Sequence, residues 1–258
     1  MHVERDDGVM RITFDRPDVR NALTKAHALE LAEAIADAAP EEDDAIVLAG
    51  EGDVFCAGGD VGDMQGGESR EDPQAAYEEV TETFGRIVEA MLECPVPIVA
   101  KVHGDAVGAG LAIVALSDIA YAAANARFSC AFVRVGLIPD TGGTFVLPKL
   151  IGLRAAKKLA FTGEFVDAER AADLDLVNEA VAPEELDDRV EETVERLVAR
   201  PTTTIGLMKR AMHENLDRHW AEALDYENLL QVQALTSDAH EEGVSAFLEG
   251  REPAFEEY

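Results

Sequence analysis

The sequence predicts an α/β fold in which short buried strands alternate with helices, followed by a helical C-terminal region. Three observations lead to this prediction. Short apolar runs, such as residues 45–48, recur through the first two-thirds of the chain. Glycine-rich turns follow two of these runs, as they do where a strand leads into a helix in α/β folds. After residue 153 the apolar spacing is mostly helical.

The N-terminal elements follow from apolar spacing and turn signals. The charged first fourteen residues read as strand, and the clearest part, residues 9–14, ends at an Arg-Pro turn signal. Residues 25–39 have apolar positions at helical spacing, and a proline ends the pattern. Residues 45–48 form a short buried strand. The stretch 51–69 is rich in glycine and acidic residues and predicts a long loop.

The middle and the end of the chain continue the same order of strand, strand and helix. The stretch 108–116 is apolar on every side and therefore predicts a buried helix. The remaining elements are expected as strands at 96–102, 119–122, 126–129 and 176–181, and as helices at 74–93 and 142–150. We expect residues 1–195 to form the core and residues 196–258 a helical region that is not an independent domain.

Composition is that of a globular protein in a reducing compartment. The chain has 258 residues, of which 47% are hydrophobic, enough for a sizeable core. No apolar run is long enough to cross a membrane, and the charged N-terminus does not resemble a secretory signal. Three widely spaced cysteines suggest free thiols and neither a disulfide framework nor a metal site. The expected location is the cytoplasm.

The charge is strongly acidic, with 52 acidic residues against 22 basic ones and a net charge of −30. Such a surface repels nucleic acids and anionic membranes, because both are bound through Lys and Arg. It also opposes folding through self-repulsion unless dense counterions screen it. We therefore interpret the composition as adaptation to high salt, with a cationic partner as the alternative.

Two glycine-rich turns are the candidate functional elements. They are F-C-A-G-G-D at residues 55–60 and H-G-D-A-V-G-A-G at residues 103–110. Small residues let a ligand approach the backbone, and a helix start offers unpaired N–H groups. Two such turns could direct two N–H donors at one oxygen, as an oxyanion hole requires. Either turn alone is more often structural, and neither has the spacing of a dinucleotide or P-loop motif.

The combination of motifs resembles the crotonase superfamily along essentially the whole chain. The turns at 55–60 and 103–110 match F-C-A-G-x-D and N-G-x-x-x-G-x-G, with His103 in place of Asn. The other matching segments are R-P with N-A-L at residues 16–23, G-L-I-P-D-T-G-G at residues 136–143, and E-G-V-S-A-F-L with R-x-P-x-F at residues 242–255.

This resemblance implies a crotonase/ClpP-like spiral of ββα units whose C-terminal helices build a homotrimer or a dimer of trimers. It assigns the oxyanion-hole N–H groups to Gly59 and Ala109. It implies no prosthetic group, and coenzyme A enters only as part of the thioester substrate. Where the family has a basic residue before Arg251, this chain has Gly250. The residues implied at the coenzyme A moiety are Asn21, Ala22, Leu23, Ala57 and Val61, with Phe247 and Arg251 from a neighbouring subunit.

The same resemblance places acids at three positions around the acyl chain, and this chain has Ala112, Phe132 and Asp140 there. Hydration uses two carboxylates, whereas a double-bond shift needs one. The resemblance therefore implies an isomerase-type reaction with Asp140 as acid and base, in an apolar pocket that includes Leu137. The pattern is most similar to the ring-epoxide phenylacetyl-CoA isomerases of phenylacetate degradation and to single-acid enoyl-CoA isomerases.

Three alternatives remain open from the sequence. Asp140 by itself could serve as the N-cap of the helix that follows it. The chain could be an enoyl-CoA hydratase with an atypical active site. It could also be an acyl-CoA binder without catalytic activity.

Overall fold

The computed structural model describes residues 1–63 and 72–255. The strands are β1 (His2–Asp6), β2 (Val9–Phe14), β3 (Ala45–Gly50), β4 (Val54–Cys56), β5 (Ile98–Val102), β6 (Asp105–Val107), β7 (Ile119–Ala123), β8 (Arg127–Ser129), β9 (Phe165–Asp167) and β10 (Glu179–Val181). The helices are α1 (Lys25–Ala36), α2 (Pro73–Glu82), α3 (Phe84–Glu93), α4 (Ala109–Leu116), α5 (Gly143–Leu150), α6 (Gly152–Thr162), α7 (Ala168–Asp173), α8 (Leu186–Val198), α9 (Thr202–Asn215), α10 (Trp220–Leu235) and α11 (Asp238–Glu249).

The strands form two sheets, and from β3 to β8 successive strands of the chain alternate between them. One sheet has six strands in the order β1-β2-β3-β5-β7-β10, parallel except for the hairpin of β1 and β2. The other has four strands in the order β4-β6-β8-β9, of which the first three are parallel. Each turn of the chain thus adds one strand to each sheet before a helix. The predicted ββα repeat is confirmed.

Strands at the centre of the six-stranded sheet, such as β3, are buried on both faces, as the strands of parallel sheets are. Side chains of β3 alternate between the faces, with Ile46 and Leu48 in the main core and Ala45 and Val47 on the opposite face. The opposite face is covered by α8. This two-sided burial explains why these strands are uniformly apolar in sequence.

Helix α4 is the most buried helix among the described residues, as all eight of its residues lie in the interior. It begins at the second glycine-rich turn and runs between β6 and β7. The buried helix predicted at 108–116 is therefore confirmed. A helix without a polar face needs no solvent-facing side, so its start can lie deep in the molecule.

Helices α9–α11 form the C-terminal region. Lys209 of α9 is buried and donates a hydrogen bond of 2.7 Å to Asp118, which immediately precedes β7. This ion pair ties α9 to the core. The region leaves large apolar side chains exposed at Met208, Met212, Leu216, Trp220, Leu224, Leu229, Val232, Leu235, Val244, Phe247 and Leu248.

Three sequence predictions were wrong in detail. The stretch 51–69 contains β4, and its residues 64–69 lie outside the described residues. The helix predicted at 74–93 is two helices that meet at Thr83, whose hydroxyl donates a hydrogen bond to the Glu79 carbonyl at 2.6 Å. The last third contains β9 besides the predicted strand, which is confined to β10. Three-residue strands carry too little periodicity to be recognised in sequence.

Candidate active site

The first glycine-rich turn follows β4 and is fixed by the segment before α1. The Leu23 N–H donates to the Gly58 carbonyl at 2.8 Å, and the Asp60 N–H donates to the Leu23 carbonyl at 2.8 Å. Gly59 therefore lies between two backbone hydrogen bonds to one residue. In the described part of the chain, the Gly59 N–H itself makes no hydrogen bond. It is half-buried and free to donate.

Residues 105–107 of the second turn form β6, and Gly108 then leads into α4. The Gly108 N–H donates to the Ser129 carbonyl of β8 at 2.9 Å, and its carbonyl accepts from Ala112 at 3.1 Å. Gly108 has a φ of +57°, which favours glycine. Ala109 is the first helical residue, so its N–H has no partner within the helix. The positive end of the α4 dipole lies at this buried group.

The two turns touch each other through glycine backbone. A Cβ added to Gly58 would lie 2.7 Å from the Val107 carbonyl oxygen and 3.2 Å from the Ala109 nitrogen. A Cβ added to Gly110 would lie 2.3 Å from the Cys56 carbonyl oxygen. Only glycine allows this approach at either position. The structure thus brings the predicted donors Gly59 and Ala109 onto neighbouring turns.

Asp140 lies in the loop that precedes α5. Its side chain does not cap that helix, because the N-cap position is Gly142 and no side chain bonds there. The N-cap interpretation of Asp140 is therefore wrong. Its carboxylate accepts one hydrogen bond of 3.0 Å from the Thr141 hydroxyl, and none of the ion pairs in residues 1–63 and 72–255 involves it.

Burial raises the pKa of Asp140 above that of an exposed aspartate. The hydrogen bond from Thr141 opposes this shift by stabilising the ionised form. A half-buried carboxylate without a cationic partner is suited to exchange a proton with a ligand.

Ala112 and Phe132 are buried in the main core and carry no acid or base. Ala112 is in the first turn of α4, and Phe132 is in a short 3-10 helix, Ala131–Val135. The Leu137 N–H donates to the Phe132 carbonyl at 3.0 Å, while the Leu137 side chain is exposed. Asp140 is therefore the only carboxylate among the three positions predicted to contact the acyl chain.

The residues implied at coenzyme A form two groups. Asn21, Ala22 and Leu23 lie beside the first turn, because Leu23 pairs with Gly59. Ala57, within that turn, is half-buried, and Val61 just after it is exposed.

Asn21 is only 1% exposed, and its side chain holds backbone groups together. Its amide donates to the carbonyls of Glu51 and Val54 at 2.9 and 2.6 Å, and its oxygen accepts from Arg16 at 3.0 Å. The side chain of Asn21 is therefore occupied by structural hydrogen bonds and is not accessible to a substrate.

Phe247 and Arg251 lie on the C-terminal helix and just after it. Phe247 is 85% exposed and has no cover in the described protein. Arg251 donates to Glu242 through both terminal nitrogens and to Glu249 through Nε. This pairing lowers the pKa of Glu242 to about 2. The positive charge of Arg251 is thus largely compensated by two glutamates of the preceding helix, α11.

Sequence reasoning missed Thr141 and the supporting role of Asn21. Thr141 is buried, has a φ of +51°, and supplies the one hydrogen bond to the Asp140 side chain. A β-branched residue in a left-handed conformation is unusual and marks a constrained loop. The sequence offers no signal for that conformation, since threonine rarely adopts it.

Comparisons with known proteins agree with this fold. The sequence model described as enoyl-CoA hydratase/isomerase matches residues 4–258. A probable enoyl-CoA hydratase of Rhodobacter capsulatus is 37% identical over 252 residues, 98% of this chain and 96% of that protein. The 1,2-epoxyphenylacetyl-CoA isomerase of Escherichia coli is 35% identical over 257 residues, 98% of this chain and 96% of that protein.

A solved structure shares the fold closely. The crystal structure of enoyl-CoA hydratase from Mycobacterium smegmatis superposes with a TM-score of 0.90 at 35% identity, covering 98% of each chain. The fold and the paired turns are those of the crotonase superfamily. The chain belongs to the enoyl-CoA hydratase/isomerase family within it.

The described residues offer neither a membrane-spanning helix nor a cluster of metal ligands. Across residues 1–63 and 72–255, no helix is both long and apolar enough to cross a bilayer. In the same ranges, no three His, Cys, Asp or Glu side chains come together as a metal site would require.

Proposed function

We propose that this protein shifts the double bond of an enoyl-CoA thioester with Asp140 as its single acid and base. The N–H groups of Gly59 and Ala109 form the oxyanion hole that holds the thioester oxygen. The observation on which the proposal rests is the state of Asp140, a half-buried carboxylate with a raised pKa and no cationic partner among residues 1–63 and 72–255. Its two companion positions, Ala112 and Phe132, are apolar.

The proposed reaction moves one proton. Asp140 removes a proton from Cα of a 3-enoyl thioester. The C–H electron pair delocalises towards the thioester oxygen, and the product is a dienolate whose charge lies on that oxygen. The N–H groups of Gly59 and Ala109 stabilise that charge. Protonated Asp140 then returns the proton to Cγ, which leaves the double bond between Cα and Cβ. The raised pKa favours both steps, because a group whose pKa is closer to neutral pH can both accept and return a proton.

Exclusion of water separates this reaction from hydration. Hydration needs a carboxylate pair to hold and activate a water molecule, and Ala112 and Phe132 supply neither carboxylate. Their apolar side chains also disfavour an ordered water beside the acyl chain. The same single acid is compatible with opening a ring epoxide next to a thioester, the reaction type in the name of the Escherichia coli relative.

We further propose that the protein works as a homotrimer or a dimer of trimers. The exposed apolar side chains of α9–α11 support this, because a surface this apolar is unusual for a monomer. Phe247 and Arg251 would then reach the coenzyme A moiety of a neighbouring subunit. The compensation of Arg251 by two glutamates makes Phe247 the stronger of the two contacts.

The test compares wild type with Asp140→Asn on three thioesters in molar KCl: a 3-enoyl-CoA, a 2-enoyl-CoA and ring-epoxide phenylacetyl-CoA. Loss of the acid should lower kcat for the 3-enoyl substrate by about 10³-fold. Asp217→Asn is the matched control, since Asp217 is an exposed carboxylate that pairs with Lys149 at 2.5 Å. Its activity should stay within about two-fold of wild type.

Two results would contradict the proposal. Efficient hydration of 2-enoyl-CoA that survives Asp140→Asn would identify a hydratase with an atypical active site. Tight coenzyme A binding without turnover of any thioester would identify a binding protein.

A further inference from the structure

A buried carboxylate outside the proposed site connects the two donor turns. Asp105 is the first residue of β6, and its side chain is 10% exposed. The Arg127 guanidinium donates to both of its oxygens, from Nε to Oδ1 at 3.0 Å and from Nη2 to Oδ2 at 2.7 Å. Arg20 donates from Nη2 to Oδ2 at 3.0 Å. Three charged groups from three separate segments therefore meet at one point.

Arg20 connects this point to the first turn. Its carbonyl accepts the Ala57 N–H at 3.0 Å, so the residue holds the turn through its backbone and Asp105 through its side chain. Arg20 has a φ of +58°, a costly conformation for a non-glycine residue, which fixes the directions of both groups. Three residues later, Leu23 bonds to both neighbours of Gly59.

Arg127 connects the same point to the second turn. It is the first residue of β8, and the last residue of that strand, Ser129, accepts the Gly108 N–H. The Arg127 guanidinium also lies 5.0 Å from the centre of the Phe165 ring, a second contact that restricts its position. Asp105 itself begins β6, which leads into Gly108.

We infer that Asp105 is a positioning residue of the oxyanion hole, which fixes the spacing of the Gly59 and Ala109 N–H groups by binding Arg20 and Arg127. Each arginine belongs to a segment whose backbone bonds directly to one donor turn. The bidentate ion pair with Arg127 and the single hydrogen bond from Arg20 give the Asp105 carboxylate three charge-assisted hydrogen bonds. This inference rests on the proposed oxyanion hole, and it adds a residue that touches neither substrate nor reacting atoms.

The expected consequence is selective for enolate binding. A small change in the spacing of two donors weakens the hydrogen bonds to a developing oxyanion much more than it weakens contacts along the chain of the ligand. Asp105→Asn keeps the size of the side chain but removes its charge. It should lower kcat roughly ten-fold, while KM and the affinity for a coenzyme A thioether, which has no carbonyl oxygen, change less than about two-fold.

The first measurement therefore uses two ligands. A β-keto thioester of coenzyme A forms an enolate whose absorbance reports the oxyanion hole without any turnover. The thioether of the same chain length reports binding alone. Wild type, Asp105→Asn, Arg20→Gln and Arg20→Lys are compared in molar KCl. Arg20→Lys should recover most of the enolate signal that Arg20→Gln loses. The single hydrogen bond from Arg20 to Asp105 needs a cationic donor but not the bidentate geometry of a guanidinium.

The control is a second ion pair, which is more deeply buried than the pairs of Asp105. Asp118 accepts Lys209 at 2.7 Å and the Ile98 N–H at 2.8 Å, and neither partner belongs to a donor turn. Asp118→Asn should lower the melting temperature as Asp105→Asn does, yet leave the ratio of enolate to thioether affinity unchanged. If Asp105→Asn does not fold, Arg20→Gln carries the test, because it leaves the Arg127 pair in place.

The outcomes separate this inference from the proposed function. Loss of enolate affinity in Asp105→Asn and Arg20→Gln, with thioether affinity kept, supports the inference even if wild type turns over no enoyl thioester. Equal loss of both affinities, or of stability alone, overturns it while the isomerase proposal stands. Wild type that binds the β-keto thioester without forming its enolate overturns both.

Discussion

The donor turns and the acid loop solve two chemical tasks by opposite means. The turns at Gly59 and Ala109 use backbone N–H groups, and their positions are fixed by contacts between glycine backbones and by hydrogen bonds from neighbouring strands. The loop at Asp140 uses one side chain that has one hydrogen bond and lies beside exposed apolar residues. Donors must be rigid to stabilise charge, whereas the acid must exchange its proton.

The difference teaches where each function is sensitive to mutation. Gly58 and Gly110 tolerate no added Cβ, because the atoms that it would meet include backbone groups that cannot yield. The acid depends on its solvation, because burial and a single hydrogen bond set its pKa in opposite directions. Mutations in the donor turns should therefore act through geometry, and mutations in the acid loop through the electrostatics of Asp140.

After the loss of the acid in Asp140→Asn, the largest effect is expected at Gly58. Gly58→Ala places a methyl group 2.7 Å from the Val107 oxygen at a φ of +90°, so the two turns must separate. We expect kcat/KM to fall by about 10²- to 10³-fold, as for the loss of one oxyanion donor. Steady-state kinetics together with circular dichroism would measure this. Gly85→Ala, where the nearest atom to the added Cβ lies at 3.4 Å, should remain active. A similar loss of kcat/KM in this control would show that the effect of Gly58→Ala is not specific to the donor turns.

The second prediction concerns the hydrogen bond to the acid. Thr141→Ala removes the donor that favours ionised Asp140, so the pKa of Asp140 should rise further. Activity that needs the carboxylate rises with pH through that pKa, so the acid limb of kcat/KM should move to higher pH. A net hydrogen bond of about 0.5–1.5 kcal/mol corresponds to roughly two- to ten-fold lower activity on that limb. Thr141→Ser keeps the hydroxyl and should keep the wild-type profile.

The same raised pKa has a consequence for stability. Because the folded state disfavours ionised Asp140, its contribution to stability is fully present below the unfolded pKa and is lost as pH rises through the folded pKa. Asp140→Asn should therefore flatten this part of the dependence of unfolding free energy on pH. A steeper dependence in the variant would show that burial is not the cause.

A smaller effect is expected at the C-terminal helix, far along the chain from both regions. Arg251→Gln removes an arginine whose charge Glu242 and Glu249 already compensate. We expect KM to rise no more than about three-fold, with kcat unchanged, as for a lost contact that is equal in ground and transition states. Initial rates over a range of thioester concentrations would measure both constants. A fall in kcat would mean that this helix acts on the donor turns or on Asp140.

The smallest effect should be that of salt on the acid limb. Screening acts on exposed charges, and the surface of this chain is strongly acidic. The melting temperature should rise by several degrees between about 0.1 and 2 M KCl, since the Debye length falls from about 10 Å to below 3 Å. The acid limb should barely move, because burial, and not a neighbouring charge, raises the pKa of Asp140. If the acid limb of the pH profile also shifted strongly with salt, the raised pKa of Asp140 would be due to the negative charge of the surface and not to burial.

Sequence patterns were informative wherever a segment has one dominant environment. The apolar run at 108–116 predicted a fully buried helix, and α4 is one. Resemblance to a family then gave the fold that the comparisons confirm. Patterns failed for β4 and β9, whose three residues gain their pairing only from strands distant in sequence. They also failed at Thr83, where a side-chain hydrogen bond accompanies a break between two apolar-spaced helices.

The sequence by itself determined the fold family, the acidic surface and the residue types at the candidate site. Those properties belong to single residues or to short runs of them. Tertiary structure decided that Gly58 and Ala109 are neighbours, that Asp140 is not a helix cap, and that Asp105 joins Arg20 to Arg127. These are relations between segments far apart in the chain. Packing of the two sheets and α4 fixes them, and no local pattern encodes that packing.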